Sequence, residues 1–161
     1  MTGTRTPLDT PLGQLHLVAD SGALAAIHWP DAPPDLPLDP DALPEVRAQL
    51  AAYFDGRLTR FDLALAPGGT PFQQEVWRAL RDIPQGRTRS YGEIAAAIGR
   101  PKGAQAVGQA NGANPIPIVI PCHRVVANDG GIGGFSGGLD IKRRLLAHEG
   151  APFEAEQPRL L

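Results

Sequence analysis

The 161-residue chain has a single cysteine, Cys122. An intramolecular disulfide is therefore excluded, and so is a metal centre built from several thiolates. Long apolar runs are also missing. No uncharged apolar stretch reaches the roughly 18 residues that a membrane-spanning helix needs. Residues 1–8 lack the apolar core and small-residue cleavage pattern of an export signal, so a cytoplasmic protein is expected. Excess positive charge is absent too. The net charge is −2, which taken alone argues against a nucleic-acid partner. No internal repeat is visible.

Apolar residues make up 42% of the chain and charged residues 20%, ordinary values for a soluble globular protein. The length allows one ordinary domain or two small ones. Charge is unevenly placed. Up to Ala66 there are nine acidic and four basic residues, a balance of −5; from Pro67 onward there are eight acidic and eleven basic, a balance of +3. A polyanion would dock on the second half.

Residues 11–29 read as two strands, with Leu15 and Leu17 in one, Leu24, Ile27 and Trp29 in the other, and Asp20-Ser21-Gly22 as the turn. Residues 30–44, rich in Pro and Asp, read as loop. Residues 45–54 have helical spacing at Val46, Leu50, Tyr53 and Phe54. Residues 61–65 alternate like one more strand. Pro67-Gly68-Gly69 reads as a linker, which predicts domains over 1–66 and 67–161. The second opens with Thr70, Pro71 and Gln73, a capping box with proline at the first helical position. Ser90-Tyr91-Gly92-Glu93 starts another helix, Gly99-Arg100-Pro101 breaks it, and a helix over 102–111 follows. Two short helices about a three-residue turn fit a helix-turn-helix or an ordinary helical hairpin. Ala104, Ala106, Gly108 and Ala110 leave the second helix with small residues. That suits close approach to a groove floor or to another helix, and leaves few side chains to read base edges.

Residues 114–126 carry the chemistry. Pro115, Pro117 and Pro121 fall within seven residues and fix a rigid, extended backbone. They deliver Cys122 followed by His123. A free thiol is only a few per cent ionised at neutral pH, and a neighbouring imidazole raises that fraction. An imidazole works best with its other nitrogen held by a carboxylate, and Glu149 is a candidate. Cys122 on its own would equally fit a buried small hydrophobe. In an extended chain Cys122 and His123 point opposite ways, so local geometry must turn them together. Tyr91 would equally serve as a packing aromatic and Asn114 as a turn residue. His16 and His28 read as structural or surface residues.

The run Pro121-Cys122-His123-Arg124-Val125-Val126 is similar to the active-site signature of the O6-alkylguanine-DNA alkyltransferases. Asn114-Pro115, Ser90-Tyr91-Gly92-Glu93-Ile94-Ala95, Gly134-Phe135-Ser136-Gly137-Gly138-Leu139 and Leu145-Leu146-Ala147-His148-Glu149-Gly150 resemble that family's motifs in order and spacing. The resemblance covers residues 67–150 strongly and the first half through Thr10-Pro11-Leu12-Gly13 and the hairpin.

The resemblance implies a mixed α/β (α+β) fold. A small N-terminal ribonuclease H-like α/β domain would accompany a C-terminal, helical, winged-helix-like domain that contains the helix-turn-helix. It implies direct-reversal DNA repair. The duplex is met in its minor groove with little sequence specificity, and the O6-alkylguanine is flipped out, which costs a few kcal/mol. Its alkyl group then moves irreversibly to Cys122. By motif, His123 is the base, through a water, and Glu149 orients it. Tyr91 serves the leaving guanine at N3 and pushes on the target phosphate, and Asn114 braces the turn before the active site. The Val125 carbonyl and the Ser136 backbone read the base beside Ile132, Gly133 and Phe135. Ala104, Gln105, Ala106, Gly108 and Tyr91 meet DNA.

No cofactor and no metal are implied, and a monomer is expected. The thioether product has no hydrolytic exit, so each molecule acts once. Alkylated Cys122 is expected to overfill its pocket and destabilise the fold. Two positions depart from the pattern. Gln105 stands where an Arg is usual, the Arg that fills the gap left by the flipped base, and Phe135 stands where a Tyr is common. Three other readings stay open: a relative that binds alkylated guanine without repairing it, a transcription regulator using the helix-turn-helix alone, and a cysteine hydrolase with an oxyanion hole.

Overall fold

The computed structural model of the chain describes residues 3–151. They divide into two compact units. One runs to Gly68 and takes in Pro115–Pro117; the other holds Gly69–Asn114 and the described residues from Ile118 onward.

The first unit is built on a three-stranded antiparallel sheet in the order β1-β2-β3: β1 Thr4–Thr10, β2 Gly13–Asp20 and β3 Ala23–His28. Leu15, Leu17, Val18, Leu24 and Ile27 are buried. The β2–β3 hairpin is the one its sequence predicts, with Ser21 and Gly22 both at positive φ, the conformation a tight hairpin turn needs. β1 was not expected as a strand. It contains Pro7, which cannot donate to a ladder, and it lies at the sheet edge where that is tolerated. α1, Pro44–Phe54, buries Val46, Leu50 and Tyr53.

Residues 61–65 do not form the expected strand. Leu65 makes only an isolated parallel bridge to Leu24. The backbone is engaged elsewhere: the Gln49 side chain, from α1, takes both backbone groups of Asp62, accepting from its N–H at 2.9 Å and donating to its carbonyl at 3.0 Å.

The second unit is helical. α2, Pro71–Arg81, starts at Thr70 with both capping-box bonds made to Gln73. Its Trp77 indole donates to the Ala110 carbonyl at 2.8 Å. A two-residue strand, β4 Arg89–Ser90, leads into α3, Tyr91–Ala97, where Ser90 and Glu93 form a second capping box. Such caps each contribute about 1 kcal/mol. Gly99 turns the chain at φ +78°, and α4 runs Ala104–Gly112. α4 starts two residues later than predicted because Pro101 and Lys102 stay in the turn, which Gly103 closes on the Arg100 carbonyl at 2.8 Å. A single helical turn over Cys122–Arg124 follows, then β5 Val125–Val126, parallel to β4, and finally α5 Leu139–Glu149. Among the described residues no helix is long and apolar enough to cross a membrane.

Candidate active site

The proline-rich approach to Cys122 is buried, with Ile116, Ile118, Val119 and Ile120 all in the core. Ile118 is held at φ +75°, a costly conformation for a β-branched residue. It marks a backbone over-determined by its surroundings. Asn114 donates its side-chain amide to the Ile120 carbonyl at 2.8 Å. Pro121 adopts φ −80°, ψ 64°, and across it the Cys122 N–H bonds the Ile120 carbonyl at 2.7 Å, an inverse γ-turn. The chain then coils tightly over Cys122–Arg124. An extended run would have sent the thiol and imidazole to opposite faces; the coil is the local geometry that replaces it.

Cys122 and His123 are buried. The imidazole Nε2 lies 2.8 Å from Glu149 Oε2, and both side chains are fully buried. The same carboxylate is gripped by Arg124, Nε to Oε1 at 2.9 Å and Nη2 to Oε2 at 3.0 Å, while Arg124 Nη1 donates to the Ile83 carbonyl at 2.7 Å. Burial pushes the Glu149 carboxyl up, but the bonds and charges of His123 and Arg124 outweigh it and hold it down at about 2. Glu149 is thus a carboxylate and takes the Nε2–H of a neutral imidazole. The His123 Nδ1 lies on the far side of the ring, buried and without a protein partner among the described residues. It is left as a proton acceptor. Burial lowers the His123 pKa, against the pull of Glu149 and with help from the charges of Arg124 and Lys142.

The Cys122 thiol is pushed up to about 11 by burial, opposed by a hydrogen bond from Asn114 and the charge of Lys142. At rest it is a thiol, and it needs a base. Tyr91, the first residue of α3, is close to the site: a Cβ on Gly133 would stand 3.1 Å from its hydroxyl. Gly133 has φ +73°, so a side chain there would be both strained and crowded. Burial raises the Tyr91 pKa, opposed by the Gly134 backbone and assisted by Cys122.

The expected site residues fall into two groups. His123 and Glu149 are joined by a direct bond, Asn114 bonds the Cys122 thiol and the Ile120 carbonyl, and Tyr91 and Gly133 adjoin. Val125 is buried in β5, and its carbonyl already accepts a bond from Lys142. Ile132 packs on Leu146 and Ala151, and Phe135 is half-buried. Ser136 is exposed. The second group lies on α4. Gln105 and Ala106 are exposed and Ala104 is half-buried. Gly108 is turned inward, where a Cβ would meet the Tyr91 ring at 3.7 Å, and Ala110 is buried. The small residues of α4 therefore serve both readings: some face outward and others allow close packing on α3.

Three residues were missed in the sequence. Arg124 anchors Glu149. Asn111 is buried on α4 and donates to the Cys122 carbonyl at 3.3 Å. Lys142 is buried in α5. The signal for the last was available: positions 142, 145, 146 and 149 share one helical face, so a lysine there lies on the buried stripe.

The family profile described as 6-O-methylguanine DNA methyltransferase, DNA binding domain, matches residues 71–151. The one described as 6-O-methylguanine DNA methyltransferase, ribonuclease-like domain, matches residues 4–67. A methylated-DNA–protein-cysteine methyltransferase of Methanosarcina acetivorans is 44% identical over 149 residues, covering 89% of this chain and 96% of the relative. One of Mycobacterium tuberculosis is 46% identical over 154 residues, covering 88% and 89%. Among solved structures, Mycobacterium tuberculosis OGT in complex with DNA superposes with a TM-score of 0.86 at 47% identity, covering 92% of this chain and 95% of that one. With both profiles and relatives of nearly full length in agreement with the buried thiol–imidazole–carboxylate series, the chain belongs to the 6-O-methylguanine DNA methyltransferase family.

Proposed function

We propose that this protein repairs DNA by direct reversal, moving the alkyl group of O6-alkylguanine onto Cys122 once per molecule. The observation that carries the reading is the polarity of the buried series. Glu149 fixes Nε2 of His123, and Nδ1 is the acceptor left for the thiol proton through a water.

The step balances as follows. The Cys122 proton passes to His123. The sulfur attacks the alkyl carbon, a carbon–sulfur bond forms, and the carbon–O6 bond breaks in line. The electron pair stays on guanine, which receives a proton from Tyr91 at N3; Tyr91 is reprotonated from solvent and His123 releases the thiol proton to it, so the net proton transfer runs from thiol to base. Asn114 and Asn111 hold the backbone on which the sulfur is aimed. The pocket for the flipped base is formed by the Val125 carbonyl, the Ser136 backbone, Ile132, Gly133 and Phe135.

DNA is the macromolecular partner. It meets α4 through its minor groove along Gln105 and Ala106, flanked by Ala104 and Gly108. The basic residues Arg100 and Lys102 line a surface pocket together with Ala106, separate from the base pocket. This surface contacts phosphates and groove floor, which gives little sequence specificity. The protein works as a monomer in the cytoplasm, and its two functional regions are residues 1–66 and 67–161.

The test is a count. Duplex carrying O6-methylguanine is mixed in excess with protein, and restored guanine is quantified. The expected yield stops at one per protein. Continued turnover would contradict the single-use mechanism, and binding without any restored guanine would favour a recognition-only role.

A further inference from the structure

Lys142 is the one described buried ammonium, and no carboxylate lies within ion-pair distance of it among the described residues. Its Nζ donates to two neutral carbonyls, Val125 at 2.6 Å and Gly134 at 3.0 Å. An apolar residue on this helical stripe would avoid the cost of desolvating a charge. The two carbonyls belong to opposite ends of one excursion of the chain. Between them Gly130 N–H bonds the Ala127 carbonyl, and Ala127 N–H bonds the Gly131 carbonyl, both at 2.9 Å. The excursion is thus closed on itself at the base and tied a second time by Lys142. A Cβ on Gly133 would sit 3.4 Å from Nζ and 3.1 Å from the Tyr91 hydroxyl, so ammonium, phenol and loop backbone converge on one spot.

We propose that Lys142 is a positioning residue that fastens the glycine-rich loop, residues 130–138, to the Val125 carbonyl and so sets the width of the base pocket. This rests on the reading of Val125 and the loop as that pocket. A carbonyl has two lone pairs. Lys142 takes one on Val125 and leaves the other for the base, so the clamp and the substrate share an acceptor without excluding each other.

The clamp has a pH limit. Burial brings the Lys142 pKa down to about 8, with Cys122 acting in the opposite direction. The titratable groups facing it are Cys122 and His123 on the tight turn and Tyr91 at the start of α3, with the Arg124–Glu149 pair beyond His123. In the folded protein the ammonium is lost as pH rises through about 8. The loop is then released at a pH where His123 stays neutral.

Hydrogen exchange of residues 130–138, corrected for intrinsic rates, reads the clamp. In the wild type, protection falls about tenfold between about pH 7 and about pH 9. Lys142→Met removes the pH step and shows the low protection at both values. With Lys142→Met, iodoacetamide alkylation of Cys122 slows only by what the lost charge beside the thiol is worth, and transfer from an O6-methylguanine duplex slows about tenfold more than that. Iodoacetamide needs the thiol but makes none of the base's hydrogen bonds to the Val125 carbonyl or the loop backbone. Equal loss in both reactions would assign Lys142 to the sulfur and overturn the proposal. A flat wild-type exchange profile would overturn it without any variant, which covers the case in which Lys142→Met fails to fold. Failure of the repair reading looks different: the wild type would transfer nothing, while the exchange data would still decide the clamp.

Discussion

Buried polar side chains divide unevenly between the two units. The sheet unit holds Thr6 and His16; the helical unit holds Asn111, Asn114, His123, Arg124, Lys142 and Glu149. The two histidines make the contrast sharp. Each is buried, and each has an Nδ1 without a protein partner among the described residues. His16 sits on β2 across from Pro7 and His28, with no carboxylate bonded to it among the described residues. His123 has Glu149 at 2.8 Å, and Glu149 in turn has Arg124. An anchored carboxylate on one nitrogen leaves the other free to accept a proton, and only His123 has one. Buried charge is costly unless paired and bonded, and this protein concentrates that cost around one thiol.

The contrast is broken most completely at the sulfur. Cys122→Ala should abolish alkyl transfer and leave DNA binding in place, as measured by single-turnover repair and by band shift. Next comes the pair of histidines. His123→Asn should slow transfer by about 10²–10⁴-fold, the usual worth of a general base. His16→Asn should leave the rate within about twofold and change only stability, by about 1–3 kcal/mol. Equal effects on the rate would mean that the carboxylate partner does not matter.

Glu149→Gln sharpens the comparison through stability. It leaves the Arg124 charge buried without its carboxylate, at a cost of about 3–5 kcal/mol. The pH dependence has a definite sign. The Glu149 carboxyl is depressed, to about 2 against an ordinary 4.5. Its stabilisation is therefore full above about 4.5 and lost as pH falls toward about 2. Denaturant titrations of Glu149→Gln should lack that acid-side loss. His123, whose pKa is also lowered, adds a loss that begins as pH drops below the ordinary histidine value of about 6.5, where the unfolded chain takes up the proton first. The smallest effect is expected on α4. Gln105→Arg adds a charge to an exposed position. It should strengthen duplex binding, raise the salt slope by about one and speed repair. Unchanged affinity and rate would show that position 105 does not take part in flipping.

Much of this was legible in the chain before any coordinates. The capping box at Thr70, the helix start at Ser90, the β2–β3 hairpin and the pairing of His123 with Glu149 follow from local spacing or from motif. What could not be read shares a physical cause. β1 hides behind Pro7, whose tolerance depends on being at an edge. Residues 61–65 carry a strand pattern, but the distant Gln49 side chain takes the backbone of Asp62. Arg124, Asn111 and Lys142 bind backbone carbonyls or a shared carboxylate that only the folded chain brings near. Nor does any pattern reveal that the chain coils just where an extended strand would have separated Cys122 from His123.

The alkyl group is expected to end on the sulfur of Cys122. Intact mass after mixing the protein with a short duplex holding one O6-methylguanine tests it most directly, followed by peptide mapping. The predicted result is a gain of one methyl group, confined to the peptide containing Cys122 and never exceeding one per molecule. A methyl group found on another residue, or an unchanged mass with the damaged duplex bound, would contradict the account.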